Sequence, residues 1–152
     1  MDIQRVSESA TIPSDTELNL WVQQALYDYQ QDAEVLIRVV DQQEMIDLNT
    51  QYRNKQGPTN ILSFPFEVPE LITDLFLLGD LVICATVMEQ EAVTQEKMLQ
   101  DHWAHIIVHG ILHLLGYDHV VNDDAMEMEA KEILILQQLN IINPYQEKQA
   151  HD

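Results

Sequence analysis

The chain has 152 residues and carries 7 Lys and Arg against 26 Asp and Glu, so its formal net charge is −19. This charge excludes the broad basic surface by which many proteins attract nucleic acid, so any contact with RNA must be local. The single cysteine, Cys84, excludes an internal disulfide and a cysteine-based zinc cage, and its apolar flanks predict a buried strand residue.

Helices and strands alternate in the first part of the chain. Ser14 followed by Glu17 is a capping-box pattern and predicts a helix start. Its inner face is predicted to comprise Leu18, Trp21, Val22, Ala25, Leu26 and Tyr29. Residues 34–40 alternate as a strand. Asp41 with Glu44 predicts a second helix, whose inner stripe is Met45, Leu48 and Tyr52.

The later part of the chain changes from strands to helices. Residues 61–64 predict a strand that Pro65 ends, and residues 77–84 predict another. Helices follow over about 86–98 and 99–115, and a third begins after Asn122. The inner side of that last helix is predicted to be Met126, Ala130, Ile133 and Leu134. We therefore expect an α+β fold with a small mixed sheet, forming one domain over residues 1–152 with a disordered tail at 145–152.

No segment has the pattern of a membrane or export signal. The N-terminal residues lack the apolar region of a signal peptide. The richest apolar run, residues 106–115, is interrupted by histidines and is too short to span a bilayer. We expect a cytoplasmic protein.

Three histidines form the most informative pattern. His109 and His113 are four residues apart, so on a helix they face the same way and can aim two imidazoles at one point. Gly116 can take the left-handed conformation that ends a helix, which lets the chain return and brings His119 to the same metal. Three imidazoles on a tetrahedral ion leave one open position, as in catalytic zinc sites. The pattern predicts one divalent metal per chain, zinc above all, although imidazole also suits nickel and copper.

Two further histidines and a glycine also bear on the predicted metal site and its chemistry. His102 and His105 lie on the same predicted helix and are either partners of the metal ligands or simply packed or exposed side chains. The spacing of the three ligands is that of metzincin peptidases, which have a catalytic Glu directly after the first His. Here that position is Gly110, so peptide hydrolysis by the same route lacks its base.

The stretch from His109 to His119 resembles the signature of the YbeY family of metal-dependent endoribonucleases. Two upstream segments are also similar to that family, residues 48–65 with Arg53 and Lys55, and residues 78–83 with Gly79 and Asp80. The similarity spans about residues 34–140. Asn60 stands where the family often has Asp.

The resemblance implies an α+β fold, a zinc-like metal on the three histidines, and cleavage of single-stranded RNA. It further implies maturation of the small-subunit ribosomal RNA 3′ end and ribosome quality control, with ribosomal proteins and a ribosome-assembly GTPase as partners and with no DNA or membrane. The family's essential arginine corresponds to Arg53, which together with His113 we expect to be catalytic. Arg53 would clamp a phosphate. Lys55 is either a second phosphate contact or a solvated charge, and Asp118 either orients an imidazole or accepts backbone hydrogen bonds.

Two other functions are compatible with the sequence. One is a zincin-type hydrolase of another bond, which Gly110 disfavours. The other is a metal-stabilised ribosome assembly factor with weak or no cleavage activity, because an acidic surface suits basic protein partners. The sequence does not distinguish attack by water from attack by the RNA 2′-hydroxyl.

Overall fold

A computed structural model describes residues 1–29, 33–53, 57–65, 77–117 and 122–145, with only the backbone described at residue 77 and at residues 122–124. The strands within these ranges are β1 (Asp2–Arg5), β2 (Glu34–Val40), β3 (Ile61–Pro65) and β4 (Leu77–Cys84). The helices are α1 (Asp15–Ala25), α2 (Gln42–Arg53), α3 (Ala85–Thr94), α4 (Leu99–Leu114) and α5 (Asn122–Gln138). These strands form one mixed sheet, and the helices pack with it, which confirms the predicted α+β class.

The four described strands form one sheet in the order β1-β2-β4-β3. β1 and β4 both run parallel to β2, and β3 runs antiparallel to β4 at the edge. β1 was not predicted, because only Ile3 among its four residues is apolar. Pro65 is the last residue of β3 rather than a residue beyond it, which an edge strand tolerates because its outer N–H needs no partner.

The larger core lies between one face of the sheet and helices α1 and α4. Inward side chains of β2 and β4 pack there with the indole of Trp103, which is fully buried. The strand residues involved are Val35, Ile37, Val39, Leu81 and Ile83. The alternation predicted for β2 is therefore confirmed. The capping box of Ser14 and Glu17 is also present at the start of α1, and its predicted inner residues Leu18, Trp21, Val22 and Ala25 are buried.

A smaller core lies on the opposite face, under α2. It contains Met45 and, as predicted, the buried Cys84. The prediction for Tyr52 was wrong, because its side chain is 58% exposed. Asn49 is buried instead, and its amide nitrogen donates to the Gly57 carbonyl oxygen over 2.9 Å. This hydrogen bond holds Gly57, in the segment that follows α2, against the helix.

The face that α5 turns to the core differs from the prediction. Its buried residues are Met128, Glu132, Ile135 and Leu136, whereas Met126 and Leu134 are exposed. Glu132 interrupts the apolar spacing of the buried face, and for this reason the prediction selected a neighbouring face of the helix. Glu132 has no exposed surface, which requires partners for both of its oxygens.

Three helix ends determine the turns around the site. Gly116 has a φ of 101°, and the N–H of Tyr117 donates to the Leu112 carbonyl over 3.0 Å, which confirms the predicted left-handed end of α4. α3 ends at Thr94, earlier than predicted, because Glu96 takes a φ of 54°. Asn140 does the same beyond α5, with a φ of 63°.

In the described part of the chain, no helix is both long enough and apolar enough to cross a membrane.

Candidate functional site

Helix α4 lies directly on the sheet because it has a glycine at the contact. A Cβ at Gly110 would be 2.7 Å from Ile61 Cδ1 and 2.9 Å from a methyl carbon of Leu81. These distances are shorter than a carbon–carbon contact allows. Residue 110, the position of the catalytic Glu in metzincins, must therefore be glycine here so that α4 can pack against the strands. The preceding residue, His109, and the residue three further on, His113, lie beside this contact.

The side chains of His109 and His113 converge, as their helical spacing predicted. Their Nε2 atoms are 3.0 Å apart, and the rings meet edge to face with centroids 4.5 Å apart. Two imidazole nitrogens on one tetrahedral zinc, each at 2.0–2.1 Å, lie about 3.4 Å apart. A small rotation of either ring therefore makes the pair fit one ion.

Glu132 orients His109 from the neighbouring helix. Its Oε1 accepts a hydrogen bond from His109 Nδ1 over 2.6 Å. Because a carboxylate only accepts, Nδ1 of His109 carries a proton, and Nε2 is the ring atom that faces His113. This is the arrangement found behind metal-bound histidines. Glu132 was not predicted as a site residue, although a single acid in an otherwise apolar helical stripe was a signal for it.

Glu132 is also the centre of a wider network. Its Oε2 accepts from the Tyr145 hydroxyl over 2.5 Å, and His105 Nε2 lies 3.3 Å from the Tyr145 oxygen and 3.5 Å from Glu132 Oε1. Burial would raise the pKa of Glu132, but hydrogen bonds from His105, His109 and Tyr145 and the charge of His109 lower it from 4.5 to about 2. Tyr145, predicted to belong to a disordered tail, is held by this network, and residues 146–152 lie outside the described residues.

Burial decides the role of the remaining helix histidines. His102 and His105 are 2% and 9% exposed, so both are packed rather than surface side chains. His102 Nε2 is 2.9 Å from Glu91 Oε1, which also accepts from the amide of Asn60 over 3.0 Å. Burial lowers the pKa of His105, and its contact with Glu132 opposes that effect. Asn60 thus donates to a carboxylate here.

Arg53 and the two histidines line one cleft of about 460 Å³. The C-terminal end of α2 brings Arg53 to it, α4 brings His109 and His113, and the edge strand β3 forms the wall between them. The described lining also includes Tyr52, Thr59, Asn60, Ile61, Leu62, Ser63, Phe64 and Pro65. No Asp or Glu occurs among these lining residues, although the chain has 26 acids.

Several predicted residues are not placed in this cleft. His119, Asp118 and Lys55 lie outside the described residues. Within the described ranges, no three His, Cys, Asp or Glu side chains form a group that could hold a metal. Asp80 is exposed and pairs in register with Phe64, and it does not belong to the described lining. The pairing of His109 with His113 is therefore observed, and the third ligand remains a prediction.

Comparison with known proteins gives both the fold and the family. The solution structure of TM1509 from Thermotoga maritima matches with a TM-score of 0.60 at 20% identity, over 97% of this chain and 98% of that one. At that identity the match shows the shared fold. The sequence model of the family Endoribonuclease YbeY matches residues 2–140, which extends the resemblance from residue 34 through the first strand and helix. An endoribonuclease is a hydrolase that acts on RNA, and RNA is its substrate. The chain belongs to the YbeY endoribonuclease family.

Proposed function

We propose that the protein is a metal-dependent endoribonuclease that cleaves single-stranded ribosomal RNA precursors in the cleft between Arg53 and the histidine pair. The observation that carries this proposal is the composition of the cleft. It brings a guanidinium and two converging imidazoles together without any carboxylate among its described lining residues. Membership of an endoribonuclease family gives the reaction class.

The charge distribution supports an anionic substrate. A phosphate approaching a chain of net charge −19 is repelled over most of the surface. A cleft whose described lining lacks carboxylates is a local exception, and the planar, permanently charged guanidinium of Arg53 at its wall can bind a phosphate through two hydrogen bonds. Cleavage of a folded duplex would require a wider basic surface, so a single strand threaded along the cleft suits this chain better.

The arrangement of His109, His113 and Glu132 is suited to binding a metal ion. Two Nε2 atoms converge, one of them oriented by a buried carboxylate, and we propose His119 as the third ligand. A divalent ion held there would polarise a phosphate oxygen and lower the pKa of a water molecule. Glu132 keeps the His109 proton on Nδ1, so that the lone pair of Nε2 is available to bind the metal. Arg53 holds the phosphate and balances the charge that grows on it during cleavage.

We further propose four properties that the resemblance to this family supports. They are maturation of the small-subunit ribosomal RNA 3′ end, ribosome quality control, contact with ribosomal proteins and an assembly GTPase, and location in the cytoplasm. Zinc is the proposed ion because imidazole ligands in tetrahedral geometry suit it.

A paired measurement on three variants tests this function. Metal content is measured by mass spectrometry and cleavage is measured on labelled single-stranded RNA, for wild type, His113→Ala, Arg53→Ala and the control Lys131→Ala. The control also removes one cation, which pairs with Asp28 away from the cleft. We expect one metal per chain, lost only in His113→Ala, and cleavage lost in both cleft variants but kept in the control.

Two results would contradict the proposal. A wild type without bound metal refutes the ligand assignment. Bound metal with equal cleavage in all four proteins indicates a contaminating nuclease, and an assembly factor without cleavage activity then becomes the better description.

A further inference from the structure

A second cleft adjoins the first beside α4. It has a volume of about 380 Å³ and shares Asn60 and His109 with the cleft that Arg53 lines. Its far wall is formed by Lys97, before the start of α4, and by Pro144 and Tyr145 beyond α5. The two clefts therefore form one groove, and they meet at Asn60 and His109. The described lining of the second cleft also contains no Asp or Glu.

The turn between α3 and α4 fixes the position of Lys97. Glu96 takes the left-handed conformation, with a φ of 54°, and the N–H of Lys97 donates to the Ala92 carbonyl over 2.9 Å. A residue other than glycine costs about 1 kcal/mol in this conformation. The strained conformation of Glu96 thus occurs directly before the lysine that lines the groove.

Lys97 and Arg53 differ from the other described cations. Arg5, Arg38 and Lys131 each pair with a carboxylate. For Arg53 and Lys97, no carboxylate oxygen among the described residues lies within 4.0 Å. Among the described residues, the two cations without such a partner both line the same groove.

The surroundings of Lys97 leave its ammonium group incompletely compensated. Burial lowers the pKa of Lys97, and the charge of Glu91 raises it. Glu91 Oε1 is already occupied by hydrogen bonds with Asn60 and His102. An anion that entered the second cleft would replace the hydration that Lys97 has lost.

We propose that Lys97 binds the phosphate of a neighbouring nucleotide of the same RNA strand, so that the strand runs from Arg53 past His109 to Lys97. This proposal rests on the proposed function, because it extends the path of that substrate beyond the cleavage position. Two separated phosphate contacts fix the direction and register of a flexible strand, which one contact does not.

Salt dependence of cleavage tests this second contact. kcat and KM are measured on labelled single-stranded RNA at several salt concentrations for wild type, Lys97→Gln, Lys97→Arg and the control Lys131→Gln. We expect Lys97→Gln to raise KM roughly tenfold. The slope of log(kcat/KM) against log salt should become shallower by about 0.7, the value for one phosphate contact on a single strand. Lys97→Arg should restore both, and Lys131→Gln should behave as wild type.

The outcomes separate this proposal from the function on which it rests. If Lys97→Gln keeps the wild-type KM and salt slope while Arg53→Ala abolishes cleavage, the second contact is refuted and the nuclease remains. If Lys97→Gln lowers the melting temperature and activity without changing the salt slope, Lys97 is structural and the proposal is again wrong. If the wild type cleaves no RNA, both proposals fail.

Discussion

The contact between Glu132 and His109 predicts a large effect from removing a single charge. Glu132→Gln keeps the size of the side chain and retains one oxygen for His109, but its amide nitrogen cannot accept the Tyr145 hydroxyl. The buried network then contains one donor without an acceptor, which is costly inside a protein.

The magnitude follows from the pKa of Glu132. Its value of about 2 in the folded chain, against 4.5 when unperturbed, means that the folded state favours the carboxylate. At about 1.4 kcal/mol for each tenfold change in the dissociation constant, this favours folding by about 3 kcal/mol. The group has no exposed surface, so solvent screening reduces this value little. In a chain of this length the melting temperature should fall by roughly 6–12 °C.

The sign of the pH dependence is fixed by the same shift. A lowered carboxyl pKa stabilises the fold fully above the unperturbed value of 4.5, and the contribution disappears as the pH falls toward about 2. Urea denaturation of the metal-free proteins should therefore show a wide gap between wild type and Glu132→Gln at neutral pH. The gap should close across that acid range.

A second readout concerns the metal. Losing a carboxylate behind a histidine ligand weakens metal binding roughly 10- to 100-fold. Competition with a chromophoric zinc chelator measures this directly. Glu129→Gln, on the exposed side of the same helix, is the matched control. Equal losses of stability in the two variants would contradict this role of Glu132. Wild-type stability at neutral pH together with wild-type zinc affinity in Glu132→Gln would contradict it as well.

Two further predictions concern the positions around the groove. Gly79→Ala places a Cβ 2.2 Å from the Phe64 carbonyl oxygen at a φ of 150°, so the free energy of unfolding should fall by about 3 kcal/mol or more. Gly57→Ala, also at positive φ but with nothing within 4 Å, should cost only about 1 kcal/mol, and equal losses in urea denaturation would contradict the steric account. Asn60→Asp replaces a donor to Glu91 by a second carboxylate, which should cost about 1–2 kcal/mol at neutral pH and less in acid. A neutral-pH stability equal to wild type would show that this hydrogen bond contributes nothing.

The sequence predicted those features that depend on neighbours along the chain. The capping box of α1, the alternation in β2 and the pair His109 and His113 all follow from spacings of two to four residues, and each is present. The left-handed conformation of Gly116 is a local property too.

The features that sequence reasoning missed depend on distant partners. β1 has little apolar character and is held by backbone pairing with β2, more than 30 residues away. Glu132 lies 23 residues from His109, so no local pattern connects the two. The buried face of α5 was misassigned for the same reason, because a carboxylate is stable inside the core only where distant histidines meet it.

The position of Glu132 on α5 also makes the site depend on a contact between two helices. The histidines lie on α4, but the group that orients one of them arrives only when α5 packs against that helix. A chain in which α5 has detached keeps both imidazoles on α4 and loses the carboxylate that selects the tautomer of His109. The orientation of His109 in the cleft is therefore linked to the packing of α5 against α4, and a chain without that packing lacks an oriented histidine pair.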